Sequence, residues 1–199
     1  MTRIVVISAG LSQPSSTRLV ADRLAAATRG ELGEGADIEV VELREHAHDI
    51  TDHLLTGFAN QHLRPVLDRL ADADGLILAT PTFTASYSGL FKSFMDLVEP
   101  ESIEDKPVLI AATGGTERHS LVLDHALRPL LAYLRAHVVP TGVYAATADW
   151  GTDSGLNGRI ARAASELAAA VRQRPDHDGT DPFTNPVPFD QLLHGTTTS

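Results

Sequence analysis

Short apolar runs alternate along this chain with segments of helical periodicity, and that alternation limits the folds open to it more than any other feature. Residues 4–8, 37–43, 75–80, 107–113 and 137–144 read as strands, the last interrupted by Pro140. Residues 17–28, 61–71, 88–98, 120–134 and 156–172 read as helices, with apolar residues returning every three or four positions. Leu19, Val20, Leu24 and Ala27 mark the face of the first; Leu63, Val66, Leu67 and Leu70 mark that of the second. Strands separated by helices form βαβ units, which pair in parallel with right-handed crossovers. Parallel strands this apolar need cover on both sides. The expectation is an α/β protein: a doubly wound, five-stranded parallel sheet with helices on both faces. With 199 residues there is room for one well-cored domain, placed at residues 1–174.

Residues 175–199 differ in character and read as a C-terminal tail. Arg174-Pro175-Asp176 ends the last helix, and Phe183, Pro188, Phe189, Leu192 and Leu193 follow in a mostly polar context. Two readings stand: a mobile terminus, or a segment docking on a partner subunit. Met1-Thr2-Arg3 runs straight into the first strand, with no signal-peptide core, and no apolar run is long enough for a membrane span. A cytoplasmic protein with no membrane partner is expected. Asp and Glu number 26 against 16 Lys and Arg, a net charge of -10 with no basic stripe, which argues against nucleic acid. The chain has no cysteine, so disulfides, thiolate metal sites and dithiol redox chemistry are excluded. Nine histidines invite a metal site, but no H-E-x-x-H occurs. The densest group, His46, His48, Asp49, Asp52 and His53, reads as a solvated loop. No metal and no G-x-S-x-G nucleophile are expected.

In doubly wound sheets ligands bind outside the carboxyl ends of the strands. Three loops fall there. The first, residues 9–18, opens a helix and offers Ser12, Ser15, Ser16, Thr17 and Arg18. It reads as a phosphate cradle at a helix N-terminus, or as a helix start merely capped by Ser15 or Ser16. It is neither a Walker loop nor G-x-G-x-x-G. The second loop is Pro81-Thr82-Phe83-Thr84-Ala85-Ser86-Tyr87-Ser88, with small and hydroxyl residues that let backbone approach a flat ring. Phe91 reads as core and Ser88 as a helix cap. The third is Gly114-Gly115-Thr116-Glu117-Arg118-His119, where paired glycines suit either close ligand approach or a plain turn. Arg118 and His119 stand either near the phosphates of a second substrate or in solvent. Trp150, the sole tryptophan, reads as surface packing or as a ring stacking from a neighbouring subunit.

Taken together, Ser15-Ser16-Thr17-Arg18, the run Pro81 to Lys92, and Thr113-Gly114-Gly115-Thr116 resemble the NAD(P)H-dependent FMN reductase family of the flavodoxin-like superfamily. The run Leu121-Val122-Leu123-Asp124-His125-Ala126-Leu127-Arg128-Pro129 is similar to the alkanesulfonate-type branch. The resemblance spans roughly residues 3–172. It implies a flavodoxin-like domain binding FMN, with hydride from NADPH or NADH and no catalytic side chain beyond the flavin. It places Ser12, Ser15 and Thr17 at the FMN phosphate, with Arg18 in the first helical turn reaching either that phosphate or solvent; Pro81, Thr82, Phe83, Thr84, Ala85 and Ser86 at the ribityl chain and ring; and Gly114, Gly115 and Thr116 against the isoalloxazine. It implies a homo-dimer or tetramer, and a flavin-dependent monooxygenase as a partner. Alternatives of the same ancestry are a flavodoxin-like electron carrier and a quinone or azo reductase. Two departures stand out: Ala9-Gly10-Leu11-Ser12 where many relatives have G-S-x-R, and Pro81-Thr82-Phe83 where many have P-x-Y.

Overall fold

The computed structural model describes residues 1–151 and 155–174; the expected tail at 175–199 lies outside the described residues. Strands β1 (Arg3–Ser8), β2 (Asp37–Glu42), β3 (Gly75–Phe83), β5 (Pro107–Gly114) and β6 (His137–Val138) lie in the order β2-β1-β3-β5-β6, all parallel. This is the flavodoxin-like order. A two-residue β4 (Ser86–Tyr87) folds back antiparallel on β3, and β7 (Val143–Ala146) pairs with the far half of β5. The expected fifth strand is therefore split. β6 pairs with Pro107 and Val108, whereas β7 pairs with Ala111 to Gly114. Pro140, between them, has no N–H to give to the ladder.

The strand period of two sorts side chains into two cores. Val5, Ile7, Leu76, Leu78, Val108 and Ile110 point to one face. There they meet Ile50 of α2 (Ala47–Thr56), Val66 and Leu70 of α3 (Arg64–Asp72), and Phe91 and Phe94 of α4 (Gly89–Met95). Ile103 of α5 (Pro100–Ile103) and Leu131 of α6 (Arg128–Tyr133) complete that layer. Ile4, Val6, Ile77, Ala79, Leu109 and Ala111 point to the other face, under α1 (Ser16–Leu32) and α7 (Leu156–Gln173). Phe91 is fully buried, as expected.

Two expectations need correction. The histidine-rich stretch after β2 is not a loop: it forms the 3₁₀ turn Leu43–His46 and then α2, held by buried Leu43 and Ile50 and ended at Gly57 with φ 77°. Two well-spaced apolar anchors suffice when the other face is solvated. The second concerns regularity: the helix expected at 120–134 is present, but a π turn at Leu123–Leu127 runs without a break into α6, and the Arg128 N–H donates back to the Leu123 carbonyl. Pro129, next in the chain, has no N–H to give to the helix ladder.

One buried cation belongs to the fold. Lys106 is 1% exposed, and its Nζ donates to the carbonyls of Leu70 (2.7 Å) and Ala71 (2.6 Å), closing the last turn of α3. Burial pushes its ammonium down to about 8; the charge of Arg174 adds to this and Asp72 and Asp74 oppose it. The unfolded chain keeps the proton up to about 10.5, so unfolding between those values takes up a proton and stability rises with pH. A neutral amine still has N–H donors for both carbonyls. Urea melts of the wild type and Lys106→Met across pH 7 to 10.5 should show the wild type gaining up to about 3 kcal/mol on the variant above pH 8. A constant difference would refute the depressed pKa.

A second buried polar contact joins α1 to the sheet. The hydroxyls of Thr17 and Thr113 lie 2.7 Å apart, and both residues are 2% exposed. Replacing either with valine should cost about 1–3 kcal/mol by stranding the other hydroxyl, whereas the double valine variant should cost clearly less than the sum. Denaturation midpoints of the three variants decide it.

Candidate functional site

The carboxyl ends of β1, β3, β5 and β7 meet at one edge of the sheet, and a cleft of about 350 Å³ opens there. Its walls are residues 10–12 and 15–17 after β1, Pro81, Thr82 and Phe83 at the end of β3, Thr113, Gly114 and Gly115 at the end of β5, and Thr147 after β7. The volume is in the range of small-molecule sites. Leu11 and Phe83, about half exposed, give the rim an apolar edge.

The first wall is a helix start. Ser15 is the N-cap of α1, its Oγ accepting from the Arg18 N–H at 3.2 Å. Capping uses the oxygen as an acceptor and leaves the hydroxyl proton to be donated elsewhere. The two readings of this loop are thus compatible in one residue. N–H groups of the first helical turn have no acceptor within the helix. Gly10 allows the loop to close: a Cβ there would sit 2.1 Å from Ser15 Oγ and 3.2 Å from Thr17 Cβ. Arg18 faces away from these groups. Its guanidinium holds Asp22 at 2.7 Å and Glu42 at 2.6 Å, and these contacts, Asp22 foremost, raise its pKa further.

The second wall is a hairpin. Thr82 and Phe83 of β3 pair with Tyr87 and Ser86 of β4. The two residues between them, Thr84 and Ala85, have φ of 49° and 65°. Positive φ at both central positions of a two-residue turn matches the twist of a hairpin, but usually falls to Asn-Gly. Two residues with a Cβ here are strained by about 1–2 kcal/mol each. The hairpin is anchored at its base, where Ser88 N–H donates to Thr80 Oγ1 at 3.0 Å and Ser88 Oγ caps α4 through the Phe91 N–H. Thr84, Ala85 and Ser86 lie on this arm beyond Phe83.

The third wall is the glycine pair. A Cβ on Gly114 would fall 2.1 Å from Tyr144 Oη, so this glycine makes room for a side chain of β7. A Cβ on Gly115 would meet nothing within 4 Å. Gly115 therefore gives the cleft an open floor. The Thr116 carbonyl accepts from Tyr144 Oη at 2.8 Å. Burial pushes the Tyr144 phenol up, with Asp149 and Glu117 adding to the effect and Thr82 opposing it. Arg118 and His119 are exposed on the 3₁₀ turn that follows.

Of the residues singled out from sequence, Ser12, Ser15, Thr17, Pro81, Thr82, Phe83, Gly114 and Gly115 line the cleft together. Thr147 also lines it and was not anticipated. Its signal was topological: once the fifth strand splits, the residue after β7 belongs to the same edge. Trp150 packs against the α1/α7 core with Arg23 5.1 Å over its ring. A second cavity, of about 190 Å³, lies among α2, α3 and α5 beside His53, Arg64 and Glu99, and shares no residue with the three loops. Among the described residues no group of His, Asp and Glu is placed to hold a metal, and no helix is long and apolar enough to cross a membrane.

Residues 2–151 match the sequence profile of the NADPH-dependent FMN reductases. The chain is 42% identical over 175 residues to an FMN reductase (NADPH) of Pseudomonas aeruginosa, covering 85% of this chain and 91% of that one. It is 39% identical over 173 residues to the NADH-dependent FMN reductase SfnF of Pseudomonas fluorescens, at 85% and 91% coverage. The crystal structure of an oxidoreductase from Corynebacterium diphtheriae superposes with a TM-score of 0.85 at 47% identity, covering 88% of this chain and 99% of that one. Sequence and fold agree: this chain belongs to the NADPH-dependent FMN reductase family.

Proposed function

We propose that the cleft at the carboxyl edge binds FMN and that the protein is an NAD(P)H-dependent FMN reductase. The observation that carries this reading is the convergence in one cleft of a capped helix start, an apolar rim and an open glycine floor. These suit, in turn, a phosphate, a dimethylated ring edge and a flat ring face. Ser12 and Ser15 hydroxyls and the first N–H groups of α1 would hold the phosphate. Thr82, Phe83, the Thr84–Ala85–Ser86 arm and Gly115 would hold the ribityl chain and ring. FMN, when bound, supplies the hydride acceptor for the nicotinamide of NADPH or NADH. Residues of this chain bind, orient and exclude water, and none is needed as an acid or base.

Arg18 has a different part from direct phosphate contact. By neutralising Asp22 and Glu42 it keeps two carboxylates from opposing an anion at the neighbouring loop. Arg118 and His119, exposed after β5, are placed to meet the phosphates of the nicotinamide substrate. A homo-dimer or tetramer is part of the same reading. A cytoplasmic setting and delivery of reduced flavin to a flavin-dependent monooxygenase complete the reading.

The test compares two ligands that differ only in the phosphate. Ser12→Ala should weaken FMN binding about 10- to 100-fold, as expected for a lost hydrogen bond to a charged group, and change riboflavin affinity less than about twofold. Equal losses for both would remove the phosphate from this loop. Anaerobic NADPH alone should bleach the bound flavin; a bound flavin that stays yellow would mark an electron carrier instead.

A further inference from the structure

We propose that Tyr144 is a positioning residue for the flavin site, acting through Gly114 and Thr116, and that Tyr144 and Gly114 form one coupled unit. This rests on the cleft being the FMN site. Tyr144 belongs to β7, beside β5 in the register Ala112↔Tyr144 and Gly114↔Ala146. Its ring is in the core, 7% exposed, but its hydroxyl reaches the underside of the cleft floor. There Oη donates to the Thr116 carbonyl at 2.8 Å, across 28 residues of chain. It also fills the space a side chain at 114 would need, with Oη 2.1 Å, Cζ 3.2 Å and Thr82 Cβ 3.7 Å from the position of a Cβ. One hydroxyl thus lies beneath two walls of the cleft, the β3 end at Thr82 and the β5 end at Gly114.

The consequence for ligand binding follows from geometry. Gly114 and Gly115 have no side chains, so the floor they form is backbone alone and its position must be set from below. The oxygen fixes the Thr116 carbonyl, and with it the course of residues 114–116. A phenol is protonated at neutral pH, and burial pushes its pKa further up, so Oη is a donor there. Tyr144 does not line the cleft and has no direct role toward nicotinamide or flavin. The requirement for glycine at 114 is imposed by Tyr144, whereas the open space at Gly115 faces the ligand.

The experiment is a double-mutant cycle on the full chain, read by FMN dissociation constant, by the melting temperature of the flavin-free protein, and by the visible absorption bands of bound FMN. Tyr144→Phe keeps the ring and removes one oxygen. It should weaken FMN about 5- to 10-fold and shift the flavin bands, while the melting temperature falls only about 2–4 °C. Gly114→Ala should be worse in both affinity and melting temperature, because the added methyl meets an oxygen that cannot retreat. In Tyr144→Phe/Gly114→Ala the nearest remaining atom is a ring carbon at 3.2 Å, which a shift of a few tenths of an ångström relieves. The double variant should therefore bind FMN within about threefold of Tyr144→Phe and melt above Gly114→Ala. If Gly114→Ala does not fold and the double variant does, that rescue is the same result.

The proposal is overturned if Tyr144→Phe leaves FMN affinity and bands unchanged, or if the two substitutions simply add. A melting-temperature loss without change in affinity or bands would also overturn it, since that is what a purely structural tyrosine predicts. If the wild-type protein itself does not discriminate FMN from riboflavin through Ser12, it is the site assignment that fails. The two failures are separate measurements.

Discussion

Parallel pairing of β3 with β1 on one side and β5 on the other brings the carboxyl ends of three strands to a single edge, and the rest of the molecule is arranged around that fact. These strands are buried along nearly their whole length, so helices must cover both faces and the loops can emerge only at the ends. Residues 10–12 and 15–17, 81–83 and 113–115, far apart in sequence, become walls of one cleft. The Thr17–Thr113 hydroxyl contact then ties the helix start to the end of β5, so two walls of the cleft are joined by a buried hydrogen bond. Preorganisation of this kind lowers the ordering cost that binding would otherwise carry.

Strain and close packing gather at the same edge. The hairpin turn places Thr84 and Ala85 at positive φ, although Asn-Gly would do so with less strain. Such strain persists only where neighbours over-determine the backbone. Here the anchors are Thr80 and Ser88 at the hairpin base and the β3–β4 pairing above it. Gly10 and Gly114 are internal necessities, since each makes room for an oxygen of this chain, Ser15 Oγ or Tyr144 Oη. Gly115 alone of the three leaves empty space. The glycines of the edge therefore divide into those that let the protein close on itself and one that keeps the floor open.

That division explains what was legible in the sequence. The central strands were plain because each is an apolar run buried on both faces, a signal that needs no partner to be read. The three loops were plain because the strand-to-helix alternation alone puts them at the carboxyl edge. Long-range geometry was not. Nothing local to Gly114 reports Tyr144, thirty residues on, so the sequence does not show that this cleft-lining glycine also makes room for a tyrosine oxygen. Arg18 looks like a phosphate ligand until Glu42, from another strand, claims it. The helix expected at 120–134 shows an unbroken apolar pattern, and only Pro129 hints at the π turn just before it. α2 was missed for the opposite reason: two buried anchors among histidines and aspartates give a weak periodic signal.

The charge of -10 sharpens the phosphate argument. A protein this acidic repels a phosphate dianion at long range, but at physiological salt that field decays within about 8 Å. What counts is the local set of charges and dipoles. The first turn of α1 carries no acidic residue, so the positive end of its dipole is not already compensated by the chain. Two carboxylates close to this turn, Asp22 and Glu42, are both held by Arg18. Hydroxyls of Ser12, Ser15 and Ser16 add donors without adding charge. The loop after β1 is thus relieved of opposing negative charge by Arg18, while a second guanidinium, that of Arg44, lies against the Gln13 side chain of the same loop.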